Sequence, residues 1–139
     1  MKLYHQTTSI RYEKGIKSHG LIPGGVELDL TEDEMYDEEF ERAYAGAVYC
    51  TDSSEVICLA LIPDGRYGSV TLEIDSKDLD LDAIIVFDDD AWTSGSKRIA
   101  WNEFVAEYKK YGPYAEELGH FEIRYLKAIP RQHIRKIIY

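Results

Sequence analysis

Two rhythms of apolar and polar residues interleave along this chain, one with a period of two and one with helical spacing. GSVTLEID, residues 68–75, sets Val70, Leu72 and Ile74 against Thr71, Glu73 and Asp75, the signature of a strand buried on one face. Residues 2–6 read as a short strand. SIRYEKGIKSHG then spaces Ile10, Tyr12 or Lys14, and Ile16 as a helix does, with Thr8 or Ser9 as N-cap and Gly20 as the stop. DEEFERAYAG marks a helix over about residues 31–45, and AVYCT at 47–51 a strand. SSEVICLAL reads as a helix capped by Asp52 or Ser53 and closed by PDG at 63–65. Ile84–Phe87 is the next strand. TSGSKRIAWNEFVAEYKKYG opens at a Ser/Gly hinge into an amphipathic helix that carries Ile99 or Ala100, Phe104, Val105 and Tyr108. PYAEELGH is a helical turn and loop. FEIRYLKAIP, residues 121–130, reads as one long strand, and IPRQHIRKIIY adds a last strand after a proline-led turn.

Strands early, middle and late with helices between them give an α+β domain, and the alternation in 68–75 favours antiparallel over buried parallel sheet. No repeat or low-complexity linker divides the chain, so residues 1–139 are expected to form a single domain. No G-x-G-x-x-G follows the first strand and no G-x-x-x-x-G-K-S/T occurs, which argues against a Rossmann domain and a P-loop.

Charge changes this picture at one place. The chain has a net charge of −10, and residues 26–42, VELDLTEDEMYDEEFER, hold −8 of it as nine acids against one arginine. A duplex-binding protein presents the opposite sign over a broad face, so nucleic acid is not the expected partner. The acidic block reads as a solvated face, a lid over a site, or a docking surface for a basic partner. No apolar run reaches membrane-spanning length and the first residues lack a signal-peptide core, so an intracellular, cytoplasmic protein is expected. Cys50 and Cys58 lack metal-ligand spacing and read as reduced, partly buried thiols.

The candidate chemistry begins with LYHQTT, residues 3–8, where His5 interrupts an apolar strand start. Three further pieces come in order: AVYCTD with Tyr49 before a proposed helix, the VTLEID strand, and FEIRYLKAIPRQHI with Glu122 at the head of a late strand. This series resembles the His–Tyr–Glu branch of the ADP-ribosyltransferase superfamily. His5 and Thr7 match the H-x-S/T of that family's first strand, and Gly20-Leu21-Ile22-Pro23 match the turn after its first helix. Tyr49 and Glu122 stand in its second and third motifs. The resemblance implies two packed, mainly antiparallel sheets flanked by helices. It implies an enzyme that uses NAD as co-substrate and transfers ADP-ribose to a macromolecular acceptor, a protein being the expected class. It assigns Glu122 to catalysis, His5 to the adenine-side ribose, the backbone around Gln6 to the nicotinamide amide with Thr7 as hydroxyl support, and Tyr49 to stacking on the nicotinamide ring. A bacterial or viral effector fits the same resemblance.

The residues admit plainer readings. Tyr49 also suits core packing, and Glu122 also suits a solvent-facing charge paired with Arg124 or Lys127. Glu103 and Glu107 mark a solvated helix face, Asp88–Asp90 a solvated turn rather than a metal cluster, and His19, His120 and His133 surface positions. Gln6 stands where many family members have glycine. The family's second stacking tyrosine has no counterpart in SSEVICLAL, and Tyr44, Tyr67, Trp92 and Trp101 are the substitutes. Gly119-His120-Phe121 lacks the extra acid or amide of the arginine-modifying branch. Two other functions compete: an RNA 2'-phosphotransferase, which would want more arginine, and a non-enzymatic protein that binds a basic partner through residues 26–42.

Overall fold

Lys2–Thr7 forms β1, with Leu3 and Thr7 buried on one face and Lys2, Tyr4 and Gln6 on the other. The structure, a computed structural model, describes residues 1–37, 56–61, 68–87, 98–111 and 122–137, with the backbone alone at Glu122 and 107–111. Thr8 caps the next element, its Oγ1 accepting from the Arg11 N–H at 3.2 Å. This helical segment, α1, residues 9–19, has an α turn at Ser9–Arg11, a π-helical stretch at Tyr12–Ile16 and a second α turn at Lys17–His19. Gly20 ends it at φ +76, and a Cβ there would stand 2.3 Å from the Ile129 carbonyl oxygen. Leu21 and Ile129 then exchange backbone hydrogen bonds of 3.0 and 2.8 Å, which ties the helix exit to the late part of the chain.

The acidic segment turns back over α1. Val26 and Leu28 lie over Gly15, where an added Cβ would meet them at 3.1 and 3.2 Å. Thr31 and Glu34 form a reciprocal capping box on the short helix α2, Glu32–Met35, and Glu34 also pairs with Lys14 at 3.2 Å.

The remaining elements are β2 Ile57–Leu59, β3 Val70–Asp75, β4 Ile84–Phe87, β5 Arg98–Ile99, α3 Trp101–Tyr111, β6 Glu122–Tyr125 and β7 Arg135–Ile137. All strand pairings among the described residues are antiparallel, in two sheets ordered β1-β3-β7 and β2-β6-β4-β5. The α+β class with antiparallel sheet is thus as the sequence leads one to expect. Both sheets feed one core. Leu3, Leu72 and Ile74 come from the first, Val86 and Ile123 from the second, and Phe104 comes from α3, all of them fully buried. Each such side chain contributes roughly 1.5–3 kcal/mol. The ion pairs, such as Lys17–Glu13 and Lys127–Asp80, are largely exposed and screened, so the apolar core carries the fold.

Several elements differ from the sequence reading. SSEVICLAL is not helical over its centre: Ile57–Leu59 is a strand, paired residue by residue with Tyr125, Arg124 and Ile123. Ile57 and Leu59 are buried and Cys58 half-buried, a period-two pattern too short to register against the Asp/Ser cap signal. The strand expected over 121–130 ends at Tyr125: Leu126 N–H makes the last bond of the ladder, to the Ala83 carbonyl, while Ala83 N–H turns to Asp80 and Ile129 pairs with Leu21. Ile99 belongs to β5, and Ala100 accepts the first α3 bond, from Phe104 N–H at 3.1 Å. Thr71 is buried although it lies on the polar side of its strand. Of the helix expected over about 31–45, the described part is Glu32–Met35, and the strand expected at 47–51 lies outside the described residues.

Candidate functional site

Among the described residues, β1 pairs with the second sheet at one rung. Tyr4 and Ala60 exchange backbone hydrogen bonds, both 2.8 Å, and toward Cys58 no further rung follows among the described residues. In a continued antiparallel ladder the next bonded pair would be Gln6 with Cys58. Instead, the Cys58 carbonyl accepts from the His5 imidazole, Nδ1 to O at 2.8 Å. The imidazole thus takes the place of a main-chain donor where the two strands part.

This arrangement fixes the chemistry of His5. With Nδ1–H donating to a carbonyl, Nε2 is the acceptor of the neutral ring. Burial pushes the imidazole's proton affinity below its ordinary value. The Cys58 bond opposes that shift, and the charge of Arg11 adds to it. Among the described residues no buried polar side-chain atom lacks a partner, and His5 as a whole is half-buried.

Gln6 is placed by the same alternation. Tyr4 sends both main-chain groups to Ala60, away from β3, and two residues on Gln6 must do the same. Its N–H and C=O therefore point away from β3, to the side on which Tyr4 meets Ala60. Such groups need a partner, from water or a ligand. Thr7 is buried, in register with Val70, and its carbonyl lies against Gly68.

Glu122 opens β6, which pairs with β2. Leu59 is in register with Ile123, so Glu122 stands one step on, beside Ala60, and opposite Phe87 of β4. The backbone positions of His5 and Glu122 are separated by about two strand spacings, roughly 10 Å. The structure therefore groups His5, Gln6 and Thr7 on one strand and sets the backbone of Glu122 two strands away, on the rung of Tyr4 and Ala60, one step before His5. Tyr49 lies outside the described residues, as do Cys50, Asp88–Asp90, Tyr44, Tyr67, Trp92 and His120. Trp101 packs in the core against Phe104, with ring centroids 5.5 Å apart, which removes it as a stacking substitute. Lys127 pairs with Asp80, and Arg124 is buried rather than solvent-facing. His19 is exposed, and His133 lies 3.8 Å from Asp78.

Sequence reasoning missed two participants, the Cys58 carbonyl and Gly68, and named Arg124 as a charge that Glu122 could pair with, without its burial. A glycine directly before an alternating strand was the available signal for Gly68. Cys58 gave none, since its role comes from pairing between distant strands.

The His5–Cys58 bond makes a pH prediction. An unfolded histidine protonates near pH 6.5, whereas His5 in the folded chain resists protonation to lower pH. Between those values the unfolded chain binds more protons, so this contribution is complete above about pH 6.5 and is lost as pH falls through the folded value. Urea unfolding at pH 7.5 and 5.0 is expected to show a larger acid loss in the wild type than in His5→Ala. Equal losses would remove His5 from the account.

Among the described residues no helix is long and apolar enough to cross a membrane, and no three His, Cys, Asp or Glu side chains gather as metal ligands. Compared with known proteins, no family model, curated protein or solved structure matches this chain.

Proposed function

We propose that this chain is an NAD-dependent mono-ADP-ribosyltransferase with an ADP-ribosyltransferase-like fold, acting on a macromolecular acceptor, with a protein as the expected class, and releasing nicotinamide. One observation carries the reading: beyond the Tyr4–Ala60 rung His5 holds the Cys58 carbonyl, and the main chain of Gln6 faces away from β3. A primary carboxamide presents one donor and one acceptor in a plane. The N–H and C=O of one extended residue are their complement, and Gln6 offers that pair. The Nε2 acceptor of His5 suits a ribose hydroxyl one step along the strand. NAD supplies a glycosidic bond whose cleavage passes through an oxocarbenium-like state. Glu122 is the carboxylate assigned to offset that positive charge, two strands from Gln6. Thr7 supports the strand as a buried hydroxyl residue, and Tyr49 is assigned to stack on the nicotinamide ring. The test is incubation of the full chain with NAD labelled in the nicotinamide ring. Release of the label that depends on the protein is expected, and a wild type that neither binds nor cleaves NAD would end the proposal.

A second reading has its own support. Residues 26–37 carry six acids and no base, and Met35 and Tyr36 are exposed among them, at 56 and 72 %. Their contacts run to Lys14 and Gly15 of α1. That favours a surface for a basic partner over a lid across His5, and such a surface is compatible with an enzyme or with a non-enzymatic binding protein.

A further inference from the structure

β7 is the outer strand of its sheet: β3 lies on one side of it, and no strand among the described residues lies on the other. Its free edge can be read residue by residue. Tyr4 turns its main chain away from β3, so Leu72, opposite His5, bonds to β1, while Thr71 and Glu73 bond to β7. Arg135 and Ile137 are their partners, and Lys136 between them turns its N–H and C=O outward. Such an edge is a template for another strand. Its surroundings are basic. Arg131, Arg135 and Lys136 are exposed, and residues 131–137 contain no acid. The Lys136 ammonium rests over the ring of Tyr12 on α1, 4.8 Å from the centroid.

The same chain carries a segment of opposite charge with its main chain unpaired. VELDL, residues 26–30, alternates apolar and acidic positions. Val26 and Leu28 both reach over Gly15 of α1, as alternate side chains of an extended chain do. Among the described residues the main chain of 26–30 makes no hydrogen bond, and Glu27 and Asp29 are exposed without an ion pair. Tyr12 and Gly15 are three residues apart, so the basic edge and the acidic segment flank one helix.

We propose that this face joins two copies of the chain, residues 26–30 of each adding as a strand to the β7 edge of the other. This deepens the reading of residues 26–37 as a surface for a basic partner, and rests on it. Like segments repel, acid against acid and base against base, so the favourable pairing is 26–30 with β7. Because both halves flank α1, a two-fold axis makes the contact twice and closes the assembly. The net charge of −10 opposes association at long range, but salt at physiological strength screens it beyond about 8 Å and leaves the contacting charges largely intact.

The test is sedimentation equilibrium of the full chain at physiological salt. The mass is expected to rise toward twice that of one chain as protein approaches about millimolar concentration. Glu27→Lys/Asp29→Lys and Arg131→Glu/Lys136→Glu should each weaken the dimer by at least about tenfold, since like charges then face each other. Mixing the two variants should restore it, because both contacts regain opposite charges. Hydrogen exchange should show the Lys136 amide slowed on dimerisation. A wild type that stays monomeric overturns the proposal. So does a dimer that both variants leave unchanged, a mixture that fails to associate, or a Lys136 amide that exchanges equally fast in the dimer. A monomer that binds an oligolysine peptide through residues 26–37 counts against the second copy alone. A monomer that binds none counts against the acidic surface as well.

Discussion

Gly68→Ala is expected to destabilise the chain by about 4 kcal/mol or more, a large share of the stability of a domain this size. Two effects add. The residue sits at φ +143, which L side chains rarely adopt, and forcing one there costs of order 1–3 kcal/mol. The added Cβ would also stand 2.1 Å from the Thr7 carbonyl oxygen and 2.8 Å from the Thr8 nitrogen, atoms of a main chain that cannot step aside alone. Relief requires the end of β1 to move away from β3. That movement breaks the Thr7–Val70 register and the Ser9–Ser69 hydroxyl contact at 3.3 Å, and it disturbs the Thr8 cap of α1. Gly25→Ala is the internal control. It too has positive φ, at +75, but nothing lies within 4 Å of its Cβ, so its expected loss is about 1 kcal/mol. Urea unfolding of both variants separates the clash from the conformational penalty. A Gly68→Ala protein no less stable than Gly25→Ala would contradict this packing of strand against strand.

Glu122→Gln is expected to retain NAD binding and lose nicotinamide release by about two to three orders of magnitude, the usual size for removing one preorganised electrostatic partner of a transition state. The substitution preserves shape and removes charge. Its effect should therefore fall on turnover and leave the dissociation constant within a few-fold. The backbone position is fixed by pairing on both sides, with β2 through Ile123 and Leu59, and with β4 through Phe87. Stability should stay within about 1 kcal/mol of the wild type, as for a substitution that opens no cavity. Full release activity in this variant would move the chemistry to another residue.

The sequence made much of this arrangement legible and hid a specific part of it. β1, β3, β4 and β7 announce themselves, because each is long or regular enough for period two to show, or is bounded by a turn signal. Thr8, Gly20 and Pro130 are local punctuation and act where local rules place them. β2 was hidden. A three-residue strand has no period to read, and Ile57–Leu59 is a strand only because Ile123–Tyr125 lies beside it. The candidate site is hidden in the same way. His5 in an apolar stretch could be noticed, and the likeness to ADP-ribosyltransferases gave it a proposed task. That its Nδ1 would hold the Cys58 carbonyl, 53 residues on, depends on how two distant strands pair. Arg124 shows the limit most clearly. Alternation puts it on the polar side of β6, and a facing phenylalanine from β4 makes that side a place to bury a guanidinium.

The central claim is that the opening beside β1 receives NAD through His5 and the Gln6 main chain. Thermal unfolding of the wild type and His5→Ala, each with and without millimolar NAD, tests it most directly. A ligand at a hundredfold excess over its dissociation constant, binding the folded chain alone, adds about 2.7 kcal/mol of stability. The account predicts a clear upward shift in the wild type that is absent or much reduced in His5→Ala, measured from that variant's own midpoint. An equal shift in both proteins would place NAD elsewhere, and no shift in the wild type would contradict the claim.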